Sequence, residues 1–155
     1  MTEADLQETM ATLAETAVDW AREGFAIELD YSPDSLIDVE QILSQLHQQV
    51  RQARSWLGRL RHLEPTDQHL STAGSMLGAY VGEVIRRQVG GTWIQHDELL
   101  GELALQLPGP NLIWPRIKVL KRLTAGAEDN VAHYAKMLIF DHSGKQDDET
   151  TEQQP

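Results

Sequence analysis

Three glycines, Gly74, Gly78 and Gly82, fall four residues apart in "GSMLGAYVGEV", a stretch that otherwise reads as a good helix. That spacing puts them on one helix face. Each costs the helix about 0.8–1 kcal/mol relative to Ala, so three in succession imply that bare backbone is needed there. A strip without side chains lets a second backbone come closer than the usual separation of about 8–10 Å between helix axes. In membranes such strips drive helix dimers. Here Glu83, Arg86 and Arg87 interrupt the segment, and no run in the chain nears the roughly 18 apolar residues of a span. Ser75 and Ala79 widen the strip, while Leu77, Val81, Val84 and Ile85 form a separate apolar stripe. The segment is therefore expected to be a central helix. Gly74, Gly78 and Gly82 are its close-packing positions, with the long second helix or the sheet lying against them. A ligand resting on bare backbone is the competing use of such glycines, but no phosphate-loop spacing accompanies them.

The elements around this helix follow from local patterns. Residues 3–22 carry a single apolar stripe through Leu6, Met10, Leu13 and Ala17. Thr2 with Asp5 forms a capping-box pattern at their start, and Gly24 is placed to end the helix. "FAIELDY", residues 25–31, alternates apolar and polar side chains, the pattern of a half-buried strand. "SPDSL" opens a second helix with Ser32 as N-cap and Pro33 at the first helical position, expected to run to about Arg61. Its apolar positions have coiled-coil spacing, but Ile42 and Trp56 broaden the stripe, which fits a helix buried in its own domain. "HLEPTDQH" reads as a helix-to-helix turn. "TWIQ", "ELALQL" and "NLIW" read as short strands, with "PGPN" turning between the last two. "PRIKVLKRL" and "AEDNVAHYAKMLIF" read as helices.

The fold class predicted is α+β, a helix-rich single domain over residues 1–142 with about three or four short, mostly antiparallel strands packed by about five helices. The polar tail, 143–155, is expected to be disordered, because it has no apolar residue to offset its ordering entropy.

Charge is distributed unevenly. Of the net −11, residues 1–40 hold eleven acids against one base, Arg22. Such a chain is not expected to bind nucleic acid, since phosphate binding needs a basic surface. There is no cysteine, hence no disulfide and no thiolate chemistry. The acidic start has no apolar signal core. A cytoplasmic location, with no membrane contact, is expected.

"LDYSPDSL", "GAYVGEVIRRQVGGTW" and "PRIKVLKRLTAGAED" occur in that order. Over roughly residues 25–135 the chain thereby resembles small bacterial domains of unknown function that carry LD-[YF]-S-x-x-S-L, GAY-x-GEV with a following GG-x-W, and KR-x-x-x-G-x-E-D. The resemblance implies a shared fold and no particular reaction. In size and acidity the chain also resembles toxin-immunity and accessory proteins.

Few constellations suit catalysis. His62, Glu64, Asp67 and His69 crowd one turn with ligand types that suit zinc, but their spacing matches no established motif. "HDE", residues 96–98, reads as a turn and helix cap. No nucleophile elbow exists, and Ser71 and Ser75 near His69 do not make a triad. Glu83 is expected to pair with Arg86 or Arg87 on the helix surface. Were it buried, it could serve as a general base. Arg116, Lys118, Lys121 and Arg122 form a basic island, followed by Glu128 and Asp129. The order suits helix-dipole complementation at successive helix ends, or else a site for an anion or an acidic partner.

The expectation is thus a non-enzymatic protein-binding or accessory module, immunity- or adaptor-like, with no cofactor, no metal and no catalytic residues. Its partner would be a basic or mixed-charge protein engaging Glu15, Asp19 and Glu23, with Arg116, Lys118, Lys121 and Arg122 as further contacts. The alternative is a small-molecule enzyme with a pocket around Tyr80, Glu83, Trp93 and Trp114. The sequence leaves the oligomeric state, a homodimer included, open.

Overall fold

The computed structural model describes residues 2–55, 67–96 and 102–152. Helix α1 spans Glu3–Phe25 and α2 spans Ser35–Arg54. Helix α3, the glycine helix, spans Asp67–Val89. Strands β1 (Thr92–His96), β2 (Glu102–Gln106) and β3 (Leu112–Ile113) follow. Helix α4 spans Pro115–Ala125, a 3-10 turn covers Ala127–Asp129, and α5 spans Val131–Glu152. The strands form one antiparallel sheet in the order β1-β2-β3, with Trp93 opposite Leu105 and Leu105 opposite Ile113. This is the helix-rich α+β domain that the patterns predict. Trp56, Pro65 and the His62–Glu64 part of the histidine-rich turn lie outside the described residues, as do Asp97 and Glu98.

Helix α1 starts on the expected capping box. The Thr2 N–H donates to Asp5 Oδ2 (3.0 Å), and the Asp5 N–H donates to Thr2 Oγ1 (3.2 Å). Its end is set by Ala26, which adopts the left-handed conformation with φ 54°. Pro115 occupies the first turn of α4, where its missing N–H costs nothing. Helix α3 lies centrally, with Leu77, Val81, Val84 and Ile85 fully buried between α1, α4 and α5. Ile42 of α2 is likewise fully buried, as its broadened stripe requires.

The strand expected at residues 25–31 is absent. Phe25 closes α1, and residues 26–31 pair with no strand. The period-two burial is nevertheless real: Ile27, Leu29 and Tyr31 turn inward while Ala26, Glu28 and Asp30 face solvent. Alternation sets which way side chains point, whereas a strand also needs a partner for its backbone, and none of the described strands pairs with this segment. The second helix starts at Ser35, three residues after Ser32. The Ser32 hydroxyl still accepts from the Ser35 N–H (3.2 Å), so it caps from within a turn.

Helix α5 continues to Glu152, into the polar tail. The packed residues Val131–His142 supply the nucleus, and adding a residue to an existing helix is far easier than starting one. Composition alone does not reveal that nucleus.

Candidate functional site

The glycine strip meets α4 and the sheet rather than α2. A Cβ at Gly78 would lie 2.6 Å from the Arg116 Cα and 2.8 Å from its backbone nitrogen. One at Gly74 would meet the Leu120 side chain at 2.7 Å, and one at Gly82 the Trp93 ring at 2.2 Å. Bare backbone on α3 is thus what lets the first turn of α4 and the indole of β1 lie directly on the helix. The long second helix packs elsewhere, against α4 and α5.

A second face of α3, carrying Tyr80, Glu83 and Arg87, brings the first two sequence motifs together. The Tyr80 hydroxyl accepts from the Tyr31 N–H at 2.9 Å and lies 2.6 Å from Ser35 Oγ. Ser35 Oγ donates to the Ser32 carbonyl at 2.6 Å, so the proton between the two hydroxyls belongs to Tyr80. Burial keeps that proton on by raising the phenol's pKa. The bond secures a strained point, since Tyr31 has φ 63°, a region that non-glycine residues avoid. The Arg87 guanidinium sits 3.6 Å from the Tyr31 ring centroid, a cation–π contact.

Glu83 is buried, with 1% of its surface exposed. Arg86 donates Nε to Oε1 and a terminal nitrogen to Oε2, both at 2.9 Å, and the Trp93 indole donates to Oε1 at 2.8 Å. Arg87 approaches Oε2 to 3.8 Å. Burial pushes this carboxyl's pKa up. The bonds from Arg86 and Trp93, with the charges of Arg86 and Arg87, outweigh it and hold the group below its ordinary value. The surface ion pair expected from sequence is therefore a buried carboxylate reached by two arginines. Both oxygens are occupied and the group is held ionised, which does not suit a general base working near neutral pH.

Trp93 lines two cavities whose described walls do not include Tyr80, Glu83 or Trp114. Trp114 instead meets His96 edge-on, with ring centroids 6.1 Å apart. Among the described residues no group of three or more His, Asp or Glu could hold a metal ion.

The basic island divides. Arg116 donates to both oxygens of Glu102 (3.2 and 3.1 Å) and to the hydroxyls of Ser75 and Ser71. Lys118 pairs with Asp129 at 3.2 Å. Arg122 is buried and donates to Glu40 Oε2 (2.8 Å) and Ser44 Oγ (2.6 Å). The other Glu40 oxygen accepts the Val131 N–H, capping α5 from α2. Lys121 is exposed. Three of the four bases thus hold elements of the fold together. Glu15, Asp19 and Glu23, in contrast, are all exposed along α1, where Arg22 bonds Glu28 (2.8 and 3.1 Å) and reaches Asp19 at 3.4 Å.

Sequence reasoning passed over Gln7. Its carboxamide donates to the Trp93 carbonyl (2.9 Å) and accepts from the Trp93 N–H (3.1 Å), bonding the outer edge of β1. A groove of about 350 Å³ runs beside that edge, between the first turns of α1 and residues 93–95. Nothing in the local sequence marks a glutamine 86 residues from its partner. Glu40 was missed for the same reason.

No family model matches this chain, and no curated protein or solved structure matches it either. Among the described residues, no helix is long and apolar enough to cross a membrane.

Proposed function

We propose that the chain is a non-enzymatic protein-binding module, an immunity- or adaptor-like accessory protein of the cytoplasm, whose acidic α1 surface meets a basic partner. The observation that carries this reading is the contrast between its two sets of charges. Arg86, Arg116, Lys118 and Arg122 are each tied to an acid of the same chain. Glu15, Asp19 and Glu23 stand exposed at four-residue steps on one helix, and the only base in residues 1–40 is Arg22, shared between Glu28 and Asp19. An unbalanced line of charge steers association more than it adds affinity. The groups best suited to catalysis are occupied by one another.

The test is the triple variant Glu15→Lys, Asp19→Lys, Glu23→Lys, with the partner recovered on the wild-type protein from the native host. These side chains face away from the buried stripe, so the variant is expected to fold. Its association rate should fall, and the wild-type rate should fall steeply between 0.1 M and 1 M salt, where the Debye length shrinks from about 10 Å to about 3 Å. An association rate indifferent to both salt and charge reversal refutes the reading.

A further inference from the structure

The free edge of the sheet supplies a more specific contact. Among the described residues, strand β1 is paired with β2 on one side only. On its other side, the two bonds from Gln7 to Trp93 are those that a residue of a neighbouring strand would make. They also fix the direction of the backbone, because the Trp93 N–H and C=O must point away from β2. In an antiparallel strand the outward pairs recur at every second residue. Gln95 therefore presents its N–H and C=O on the same open side, and no side chain of the described residues takes them as Gln7 takes those of Trp93. The adjoining groove has an apolar floor of Leu6, Trp93 and Leu103, with Glu3 on its rim.

We propose that this edge binds a short, extended, basic segment of the partner protein. Its backbone pairs with Gln95 and one of its side chains is seated over Leu6, Trp93 and Leu103. The inference rests on the binding-module reading above and adds where, and in what conformation, the partner is held. Pairing with an exposed strand supplies backbone bonds while a side-chain pocket supplies selectivity. The segment is short because Gln7 and the body of α1 close the edge at Trp93. It is basic because the first turns of α1 carry Glu3, Asp5 and Glu8 and no base. A second copy of this chain would bring the same acids against them, so like charge opposes edge-to-edge self-pairing.

The experiment titrates the full-length, isotope-labelled chain with the end-blocked peptide Lys-Val-Lys-Val-Lys, with its Glu-Val-Glu-Val-Glu counterpart, and with the lysine peptide N-methylated at its central residue. Amide signals and hydrogen exchange are followed by NMR. The lysine peptide is expected to shift Leu6, Trp93 and Gln95 and to slow exchange at Gln95, while the acidic peptide leaves them unmoved. Gln95→Pro removes the outward N–H and no bond to β2, so it should weaken binding by about fivefold, the scale of one backbone hydrogen bond. The methylated peptide should lose affinity similarly, with the protein unaltered. Shifts confined to the Glu15–Glu23 face, with Gln95→Pro binding like wild type, overturn the edge site and leave the basic-partner reading standing. Absence of lysine-peptide binding, or equal binding by the acidic peptide, overturns the proposal outright.

Discussion

Gly78→Ala sets helix propensity against packing, with opposite signs. Propensity alone stabilises α3 by about 0.8–1 kcal/mol. The new Cβ, however, would lie 2.6 Å from the Arg116 Cα, where ordinary contact begins at 3.4 Å. The obstacle is backbone, so no rotamer change relieves it. Helix α4 must move, and it is held at both ends, by Arg116 on Glu102, Ser71 and Ser75, and by Arg122 on Glu40. Because the obstacle is backbone, the cost falls in the upper part of the usual overpacking range, about 2–3 kcal/mol, which leaves a net loss of about 1–2 kcal/mol after the propensity gain. For a chain of this size, that lowers Tm by roughly 2–8 °C. Gly24→Ala is the control. It lies near the end of α1 with nothing within 4 Å of its added Cβ, so it should gain about 0.5 kcal/mol from propensity and raise Tm slightly. Thermal melts followed by circular dichroism decide the matter. A Gly78→Ala protein that melts at or above wild type, with unchanged helicity, would falsify the close-packing account.

Two further outcomes follow from the same geometry. Glu83→Gln keeps an acceptor for the Trp93 indole but removes the charge that answers Arg86 and Arg87. It should lower the urea midpoint by an amount equivalent to about 1.5–3 kcal/mol, the worth of hydrogen bonds to a charged group. Because the folded-state pKa of Glu83 is depressed, its stabilisation is present above the ordinary carboxylate value and is lost as pH falls through the depressed one. The variant should therefore show a flatter loss of stability on acidification, read as urea midpoints across that range. Truncation after Ser143 should reduce the far-UV helical signal, since α5 runs to Glu152, while leaving Tm nearly unchanged. The removed segment has no apolar residue with which to dock, and a large fall in Tm would show that it docks.

Much of the architecture is legible because its causes are local. The capping box at Thr2 and Asp5, Pro115 opening α4, and Gly90 and Gly91 ending α3 with positive φ are set within a few residues of chain. The three glycines announce close packing for the same reason, because a repeated loss of propensity needs compensation. Residues 25–31 show where local evidence stops. The sequence determines that Ile27, Leu29 and Tyr31 face inward, but a strand is a relation between two backbones, and tertiary structure supplies no partner there.

What faces the glycine strip is equally non-local: the chain indicates a bare surface on α3, and only the fold brings Arg116 to it. The same holds for charge. Arg116, Lys118 and Arg122 read as an island along the sequence, yet Glu102, Asp129 and Glu40 reach them from separate elements. Glu83 and Trp93 meet because α3 and β1 are folded back on one another. Propensity, caps and periodicity act over a few residues and are written in the sequence. Pairing, burial and the fate of a charge depend on which distant group arrives, and only the packed chain decides that.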